Sequence, residues 1–461
     1  MFRNLLNTFA NCFKIPELKS RILFTLGLLA VARLLAVIRI PGLNGEALSA
    51  YFAKQQGNGS GGLLGMYNTF AGGAFEHCAI GSLGIMPYIS ATIIIQLLTA
   101  VWPTLSKLAR EEGGRTKIIQ YGRYLTVLIC VGQGAYFANN WLHPQRIFSD
   151  FAGQLVLIDN RWIYFVEAVT VMTAGTMLLM WLGEQITERG IGNGVSLVIT
   201  VGILARLPNA ANASWNMFFP SSGDPTHSLL GTGLLLVILL FVVVGTVIAI
   251  TQAQRKIPVQ YASRMVGQKM YQGGTNYMPL RVNYAGVMPI IFAQSILMFP
   301  QTICNVIADH SKLLRDPFLA LGTAFNYGSW LYLSVYALMI LFFSYFWVAT
   351  QFNEIQIADD LKKNGGYIPG VRPGQGTSDY LHKAMSRITL AGAIFLTIIA
   401  IIPIILSRKL NIDQNVSQFF GGTSILIAVG VLLDTMRQIE SHLMMRHYDG
   451  FLKKGRVRGR F

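Results

Sequence analysis

Charged residues are scarce in this sequence. They make up 13% of 461 residues, whereas 52% of the residues are hydrophobic. The apolar residues form runs longer than the core helix of a soluble protein requires, and such runs are typical of membrane spans. The composition therefore argues against an ordinary soluble domain and predicts a polytopic membrane protein.

Signatures of catalysis and of metal binding are also missing. The sequence contains no HExxH, GxSxG or GxxxxGK[ST] motif. The cysteines, which are Cys12, Cys78, Cys130 and Cys304, lie far apart, and this spacing predicts neither a disulfide framework nor a metal site. We expect no enzyme activity, no catalytic residue, no bound metal and no cofactor, so energy for transport must come from a partner or a gradient.

Ten apolar runs of membrane length predict an all-α fold with ten transmembrane helices. They cover residues 21–40, 78–101, 121–140, 162–182, 190–206, 229–251, 284–308, 329–351, 388–406 and 420–439. The fifth run is rich in glycine and only weakly apolar, so it should lie against other helices rather than against lipid.

Lysine and arginine are concentrated in alternate loops, which predicts that both chain ends lie in the cytoplasm. The net charge of +16 also favours contact with anionic lipid. We divide the chain into an N-terminal half, 1–206, a polar connection, 207–228, a C-terminal half, 229–439, and a basic tail, 440–461. Each half holds an odd number of spans, so the second should run opposite to the first, as in an inverted repeat.

Two predicted cytoplasmic loops, 252–283 and 352–387, are longer than a helix connection requires, and such loops are usually functional. In the first, the segments IPVQYA and NYMPLRV flank Gly273-Gly274, which predicts a β-hairpin. The second combines a short polar helix with the turn IPGVRPG.

A short amphipathic helix precedes the second span. Its apolar side chains are Leu63, Leu64, Met66 and Phe70, and it ends at Gly72-Gly73. Gly81, Gly84 and Pro87 then interrupt the backbone, and a break at membrane depth is tolerated only where protein or a cavity surrounds it. The stretch is therefore predicted to line a path through the protein.

Branched apolar residues recur on the interrupted spans. Ile85 and Ile89 share one helix face, and Val195 and Ile199 repeat that spacing in the fifth span. Ile291 lies next to Pro289, and Ile427 lies in the tenth span. Spacing alone is compatible with ordinary packing at all these positions.

Polar and ionisable residues within spans allow two interpretations. Thr92, Gln96 and Gln294 could be hydrogen-bonding contacts between helices or a polar seam between two helices that separate. Arg33, Glu167 and Asp434 should each have a partner or a wet neighbour, and Asp434 can reach Arg437. A secondary transporter of a small solute would rely on Glu167 and Asp434, while a scaffold without a pore would rely on none of these residues.

Several long motifs, in order along the chain, resemble the SecY family, the channel subunits of the bacterial protein translocase. These motifs are LGMYNTFAGG, LGIMPYISATIIIQLL, GEQITERGIGNGVS, VNYAGVMPIIFAQSI, IPGVRPG and FFGGTSILI. The resemblance implies a channel that passes unfolded secretory polypeptides across the bacterial cytoplasmic membrane and releases transmembrane segments laterally into lipid.

The resemblance also implies roles for the residues singled out above. Six side chains would form the hydrophobic ring of the pore: Ile85, Ile89, Val195, Ile199, Ile291 and Ile427. The short helix around 63–73 would be the plug that closes the outer funnel. A ring of apolar side chains offers water no hydrogen bonds, so it would disfavour a continuous ion path while yielding to a threaded chain.

Partners follow from the same resemblance. The second and seventh spans would form a lateral gate for signal sequences and nascent polypeptides, with Thr92, Gln96 and Gln294 at its seam. The cytoplasmic loops would bind the ATPase SecA or the ribosome through Arg255, Lys256 and Arg372. SecE would clamp the two halves, and SecG would be a further subunit. The net positive charge, not the resemblance, adds anionic membrane lipid to these partners.

Overall fold

The computed structural model describes most of the chain. The described residues are 15–55, 62–111, 113–146, 151, 153–218, 229–261, 264–266, 269–271, 274–310, 315–325, 328–410 and 423–454. Cys12, the first four residues of the FFGGTSILI motif (419–422) and residues 455–461 of the basic tail lie outside the described residues, as does the connection from 219 to 228.

Helices dominate the described residues, which form two compact units. The first unit holds the chain up to Phe218 together with the last helix from Ile427, and the second holds Leu229 to Leu410 and the start of that last helix. The helices of the first unit are α1 (Pro16–Leu35), α2 (Gly45–Gln55), α3 (Gly62–Phe70), α4 (Met86–Val101), α5 (Pro103–Arg110), α6 (Gly114–Leu142), α7 (Arg161–Arg189), α8 (Gly194–Ala205) and α9 (Leu207–Phe218), with a 3-10 turn at Pro144–Arg146.

The second unit combines helices with a small antiparallel sheet. Its elements are α10 (Leu229–Gln252), β1 (Gln254–Tyr261), β2 (Arg264–Val266), β3 (Lys269–Tyr271), β4 (Thr275–Arg281), α11 (Met288–His310), α12 (Arg315–Ala324), α13 (Trp330–Gln351), α14 (Glu354–Lys363), β5 (Gly366–Tyr367) and α15 (Gln375–Leu410). The last helix, α16 (Thr423–Lys454), begins in this unit and continues in the first.

Every predicted span contains a helix. By length and composition, five helices of the described ranges can cross a membrane, and a sixth is added if Met86–Val101 and Pro103–Ala109, which meet at a bend of 103°, are counted as one span. The all-α polytopic class is confirmed. The inverted relation of the halves stays a prediction.

The second span starts later than predicted. Residues 78–85 form turns instead of helix, and α4 begins only at Met86, with Pro87 in its first turn. Gly84 adopts φ +61, a left-handed conformation that a continuous helix does not contain. The amides of Ile80 and Gly81 donate to the carbonyls of Ile38 and Leu35 at the end of α1, so this buried backbone is satisfied by another segment.

Three segments that were predicted to lie outside the spans contain helix. The second cytoplasmic loop is helical from Gln375, because the amphipathic start of α15 packs its apolar face on the sheet and hydropathy does not detect such a helix. The segment 440–454, predicted as part of a tail, continues α16 as a helix. The start of the polar connection is likewise helical, as α9.

The glycine-rich fifth span lies against other helices, as predicted. The first turn of α8 comes so close to α7 that a Cβ atom on Gly194 would overlap the carbonyl of Gly183. Most of α8 is buried, including Ser196, Thr200 and Gly202. Small residues allow this approach, and the helix needs little lipid affinity because protein surrounds it.

The two loops that were predicted to be cytoplasmic fold together in the second unit. The predicted hairpin is confirmed, with β1 and β4 antiparallel and Ile257 opposite Met278. The second loop adds β5 on the other side of β1, giving the strand order β4-β1-β5. Ile257, Val259 and Ile368 pack with Leu381 and Met385 of α15 in one hydrophobic core, so both loops are parts of one structure.

Candidate functional site: the plug and the predicted pore ring

The short helix α3 ends where the sequence predicted. The amide of Gly73 donates to the carbonyl of Asn68, and the amide of Gly72 donates to that of Thr69. This pair of bonds is the Schellman motif, which requires a left-handed residue, here Gly72 with φ +66. Phe70 is buried, whereas the side chains of Leu63, Leu64 and Met66 lie outside the described part of α3.

The end of α3 is seated against α8 and α1. A Cβ atom on Gly72 would lie 2.8 Å from the Cα atom of Gly202 and 2.6 Å from Nη1 of Arg33. The guanidinium of Arg33 donates to the carbonyl of Gly72 over 2.9 Å. Arg33 therefore has the partner that the sequence analysis expected for an ionisable residue within a span.

An aromatic cluster holds the other side of α3. The Tyr67 ring lies 5.6 Å from that of Phe75 and 5.1 Å from that of Phe137, and Phe75 lies 5.9 Å from Trp141. Tyr67, Phe75 and Trp141 are buried. Burial raises the pKa of the Tyr67 phenol far above its ordinary value, so this side chain stays neutral.

A buried polar group joins α3 to the end of α8. Arg206 contacts Glu76 and Thr69, and Glu76 accepts a hydrogen bond from Asn68. Sequence analysis missed this group. Its one signal was an isolated acidic residue just after the Gly72-Gly73 pair, with no indication of the distant arginine.

Ile85 and Ile89 lie at the start of α4. Ile85 is the residue before the helix, and the amide of Ile89 donates to its carbonyl over 3.2 Å, so both lie on one face of the first turn. Both side chains are buried. On α8, Val195 is half-buried and Ile199, one turn later, is buried.

Ile427 and Ile291 complete the predicted ring. Ile427 is buried on α16 at the point where that helix joins the first unit, so five of the six residues belong to that unit. Ile291 is buried in the first turn of α11, in the second unit. None of the six side chains is exposed, and their assembly into one ring stays a prediction.

A small cavity of about 30 Å³ lies between the end of the predicted plug, α3, and α8. Its lining includes Phe70 of α3, Ile85, Arg33, and Val198 and Val201, which flank Ile199. The space is enough for one or two water molecules. The end of the plug and one predicted ring residue therefore share a cavity.

The predicted gate residues lie on α4 and α11. The Thr92 hydroxyl donates to the carbonyl of Tyr88, and Gln96 is half-buried. Gln294 is buried, and its side-chain Nε2 donates to the hydroxyl of Thr423 over 2.7 Å. Gln294 thus connects α11 with the start of α16, and a role for these three residues in a lateral gate stays a prediction.

The predicted docking residues are exposed on the second unit. Arg255 and Lys256 lie on β1. Arg372 lies in the turn after β5, where its carbonyl accepts a bond from the Thr377 hydroxyl over 3.0 Å. Their contacts with SecA or the ribosome stay predictions.

Other predictions concern single residues. Cys78, Cys130 and Cys304 are free and buried, as is common for small hydrophobic side chains. Asp434 lies 3.7 Å from Arg437, the partner expected from the sequence. Glu167 is half-buried on α7.

Comparison with known proteins identifies the family. The SecY family model matches residues 79–436. The chain is 44% identical to protein translocase subunit SecY of Chlamydia trachomatis serovar D, and 41% identical to that of Thermotoga maritima, in both cases over 98% of this chain and 99% of the relative.

A solved structure supports the fold. It concerns a SecY protein whose plug domain is reported to stabilise the closed state of the translocation channel and to maintain a membrane seal. It covers 97% of this chain and 99% of its own, with a TM-score of 0.58 and 16% identity. At that identity the likeness shows the fold alone. With the family model matched over most of the chain and relatives above 40% identity over nearly all of it, this protein belongs to the SecY family.

Proposed function

We propose that this multi-pass membrane protein is the protein-conducting subunit of a bacterial translocase. It passes unfolded secretory polypeptides across the cytoplasmic membrane and releases transmembrane segments laterally into lipid. One observation carries this proposal: Phe70, at the end of the plug helix, and the predicted ring residue Ile85 line the same cavity. A closed channel requires its plug to lie next to its constriction, and this shared cavity supports that arrangement for Phe70 and Ile85.

The ring seals the resting channel through its chemistry. Ile85, Ile89, Val195, Ile199, Ile291 and Ile427 carry only branched apolar side chains, which give water and ions no hydrogen bonds. Their side chains move apart around an extended polypeptide and need no fixed recognition of its sequence. One pore therefore accepts many clients and leaks few ions.

Partners supply the driving force. SecA or a translating ribosome binds the exposed basic residues of the cytoplasmic structure, Arg255, Lys256 and Arg372, because charge steers the encounter and arginine binds carboxylate or phosphate bidentately. SecE clamps the two halves, SecG is a further subunit, and both chain ends lie in the cytoplasm. A signal sequence opens the gate at Thr92, Gln96 and Gln294 only if it binds the open state more tightly.

Ile199→Asn in purified, reconstituted translocase tests the ring. An amide in the constriction gives water a hydrogen-bond partner worth about 1–2 kcal/mol, which corresponds to a rise in resting ion conductance of roughly 5- to 30-fold. The measurement is single-channel or ensemble conductance in planar bilayers without SecA or client.

Ile340→Asn is the matched control. Ile340 is also fully buried, but it lies on α13 and is no member of the predicted ring. We expect this substitution to lower the amount of assembled protein without raising the conductance per assembled channel. Equal leak from both variants, or no leak from Ile199→Asn, would contradict the proposed pore.

A further inference from the structure

The last turn of the plug helix carries two buried polar side chains that reach outside the helix. Asn68 and Thr69 are both buried. The Thr69 hydroxyl donates to the carbonyl of Gly65 in its own helix and accepts from Nη1 of Arg206 over 2.9 Å. The side-chain Nδ2 of Asn68 donates to Oε2 of Glu76 over 2.6 Å. The side-chain Oδ1 of Asn68 accepts a hydrogen bond from the backbone amide of Glu76 over 3.2 Å.

The two partners of these side chains, Arg206 and Glu76, form an ion pair outside the plug helix. Nη2 of Arg206, the residue that caps α8, lies 3.3 Å from Oε2 of Glu76, and the side chains are only 15% and 12% exposed. Glu76 Oε1 also lies 3.7 Å from Nε2 of His77. Charged side chains that are so little exposed need hydrogen bonds in addition to their ion pair, and Asn68 and Thr69 of the plug helix supply some of these bonds.

Along the chain, Gly72 and Gly73 lie between the end of α3 and Glu76 of this ion pair. Both adopt left-handed φ angles, +66 and +86, and the Schellman bonds join them to the last turn of α3. Movement of α3 about these glycines would remove Thr69 from Arg206 and Asn68 from Glu76. The ion pair would then keep its internal contact but lose its bonds to the plug side chains.

We propose that the Glu76–Arg206 ion pair is a latch that holds the plug closed through Asn68 and Thr69. The inference rests on the proposed channel function and adds the residues that set the closed state. The closed plug satisfies the buried charges, so opening costs the hydrogen bonds that they make to it. Removal of either side of the latch shifts the resting equilibrium toward the open state.

A double-mutant cycle tests this coupling. The variants are Thr69→Val, which keeps the shape of the side chain and removes the acceptor, Arg206→Gln, and the two combined. We expect each single variant to raise the resting conductance of the reconstituted channel by roughly tenfold, within the usual range for coupled sites. The combined variant should leak no more than the stronger single variant.

Controls separate the latch from general damage. Thr126→Val removes a buried hydroxyl that bonds only within α6, to Gly122, and should leave the conductance unchanged. Glu46→Gln breaks the exposed Arg39–Glu46 pair and should do the same. If Arg206→Gln fails to assemble, Arg206→Lys replaces it in the cycle. Lysine keeps the positive charge but lacks the planar set of N–H donors of the guanidinium.

Deletion of residues 63–70 distinguishes failure of the latch from failure of the channel assignment. A leak from the deletion together with wild-type conductance of Thr69→Val and Arg206→Gln would overturn the latch and leave the channel intact. Strictly additive effects in the cycle would also overturn it. An unchanged resting conductance after the deletion would count against the plug itself.

Discussion

At the scale of a single residue, Gly72 restricts how the proposed plug, α3, can lie against α8. Its φ of +66 is costly for any residue with a Cβ atom, by about 1–2 kcal/mol. Its neighbours add a steric restriction, because the Cα atom of Gly202 would lie 2.8 Å from that Cβ. Backbone cannot rotate away as a flexible side chain does, so α3 and α8 must move apart to admit a methyl group.

Gly72→Ala should therefore loosen the plug without touching the pore ring. A cost of about 1–2 kcal/mol placed on the closed state corresponds to a rise in resting leak of roughly 5- to 30-fold. The measurement is conductance of the reconstituted channel, or proton leak in vesicles. Normal translocation of a secretory client in the same preparation would show that the channel is assembled.

Gly65→Ala is the control for Gly72→Ala. Gly65 lies within α3, and a Cβ atom there meets nothing within 4 Å. Alanine should favour the helix by about 1 kcal/mol and leave the seal intact. Equal leak from the two variants would contradict a specific role for the close approach at Gly72.

Among the larger elements, the sheet β4-β1-β5 and the turn after β5 present the basic residues on one folded structure. The turn from Ile368 to Gly374 is anchored by Ile368 in the hydrophobic core and contains left-handed Gly370 and Gly374. Arg372 stands exposed between these glycines. Its position is therefore fixed by the backbone, while its side chain stays available to a partner.

Arg372→Glu should impair SecA-driven secretion while leaving the level of membrane-inserted protein unchanged. Reversal of the charge replaces attraction by repulsion toward an acidic or phosphate-bearing partner, and placing like charges opposite each other at an interface costs several kcal/mol. Secretion of a model client into vesicles measures the effect. Arg161→Glu, an exposed change at the start of α7 on the predicted outer side, is the matched control. Normal secretion by Arg372→Glu would remove this residue from the docking surface.

Local sequence predicted the elements whose causes are local. Apolar length predicted the spans, the Gly72-Gly73 pair predicted the end of α3, and the segments flanking Gly273-Gly274 predicted the hairpin. Gly81, Gly84 and Pro87 predicted an interruption, but not that α4 begins only at Met86. The amides of Ile80 and Gly81 donate to the carbonyls of Ile38 and Leu35, which lie far away in the sequence. The Glu76–Arg206 pair joins residues separated by 130 positions, which no local pattern reveals.

At the scale of the whole molecule, the last helix joins the first unit. The amide of Gly192 donates to Oε1 of Gln438 on α16 over 2.8 Å. Leu18 and Ile191 pack with Ile439 and Leu443 of the same helix. These contacts explain why Ile427, which is distant in sequence, shares a unit with Ile85 and Ile199.

The central claim is that an unfolded polypeptide passes between these branched side chains. The direct measurement is crosslinking of a stalled secretory chain to a photoreactive residue placed at Ile85, Ile199 or Ile427, with Leu128, which is 70% exposed on α6, as the control. We expect adducts with the client at all three ring positions and none at Leu128. Adducts at Leu128 equal to those at the ring, or a client that crosslinks to none of the three positions, would contradict the pore.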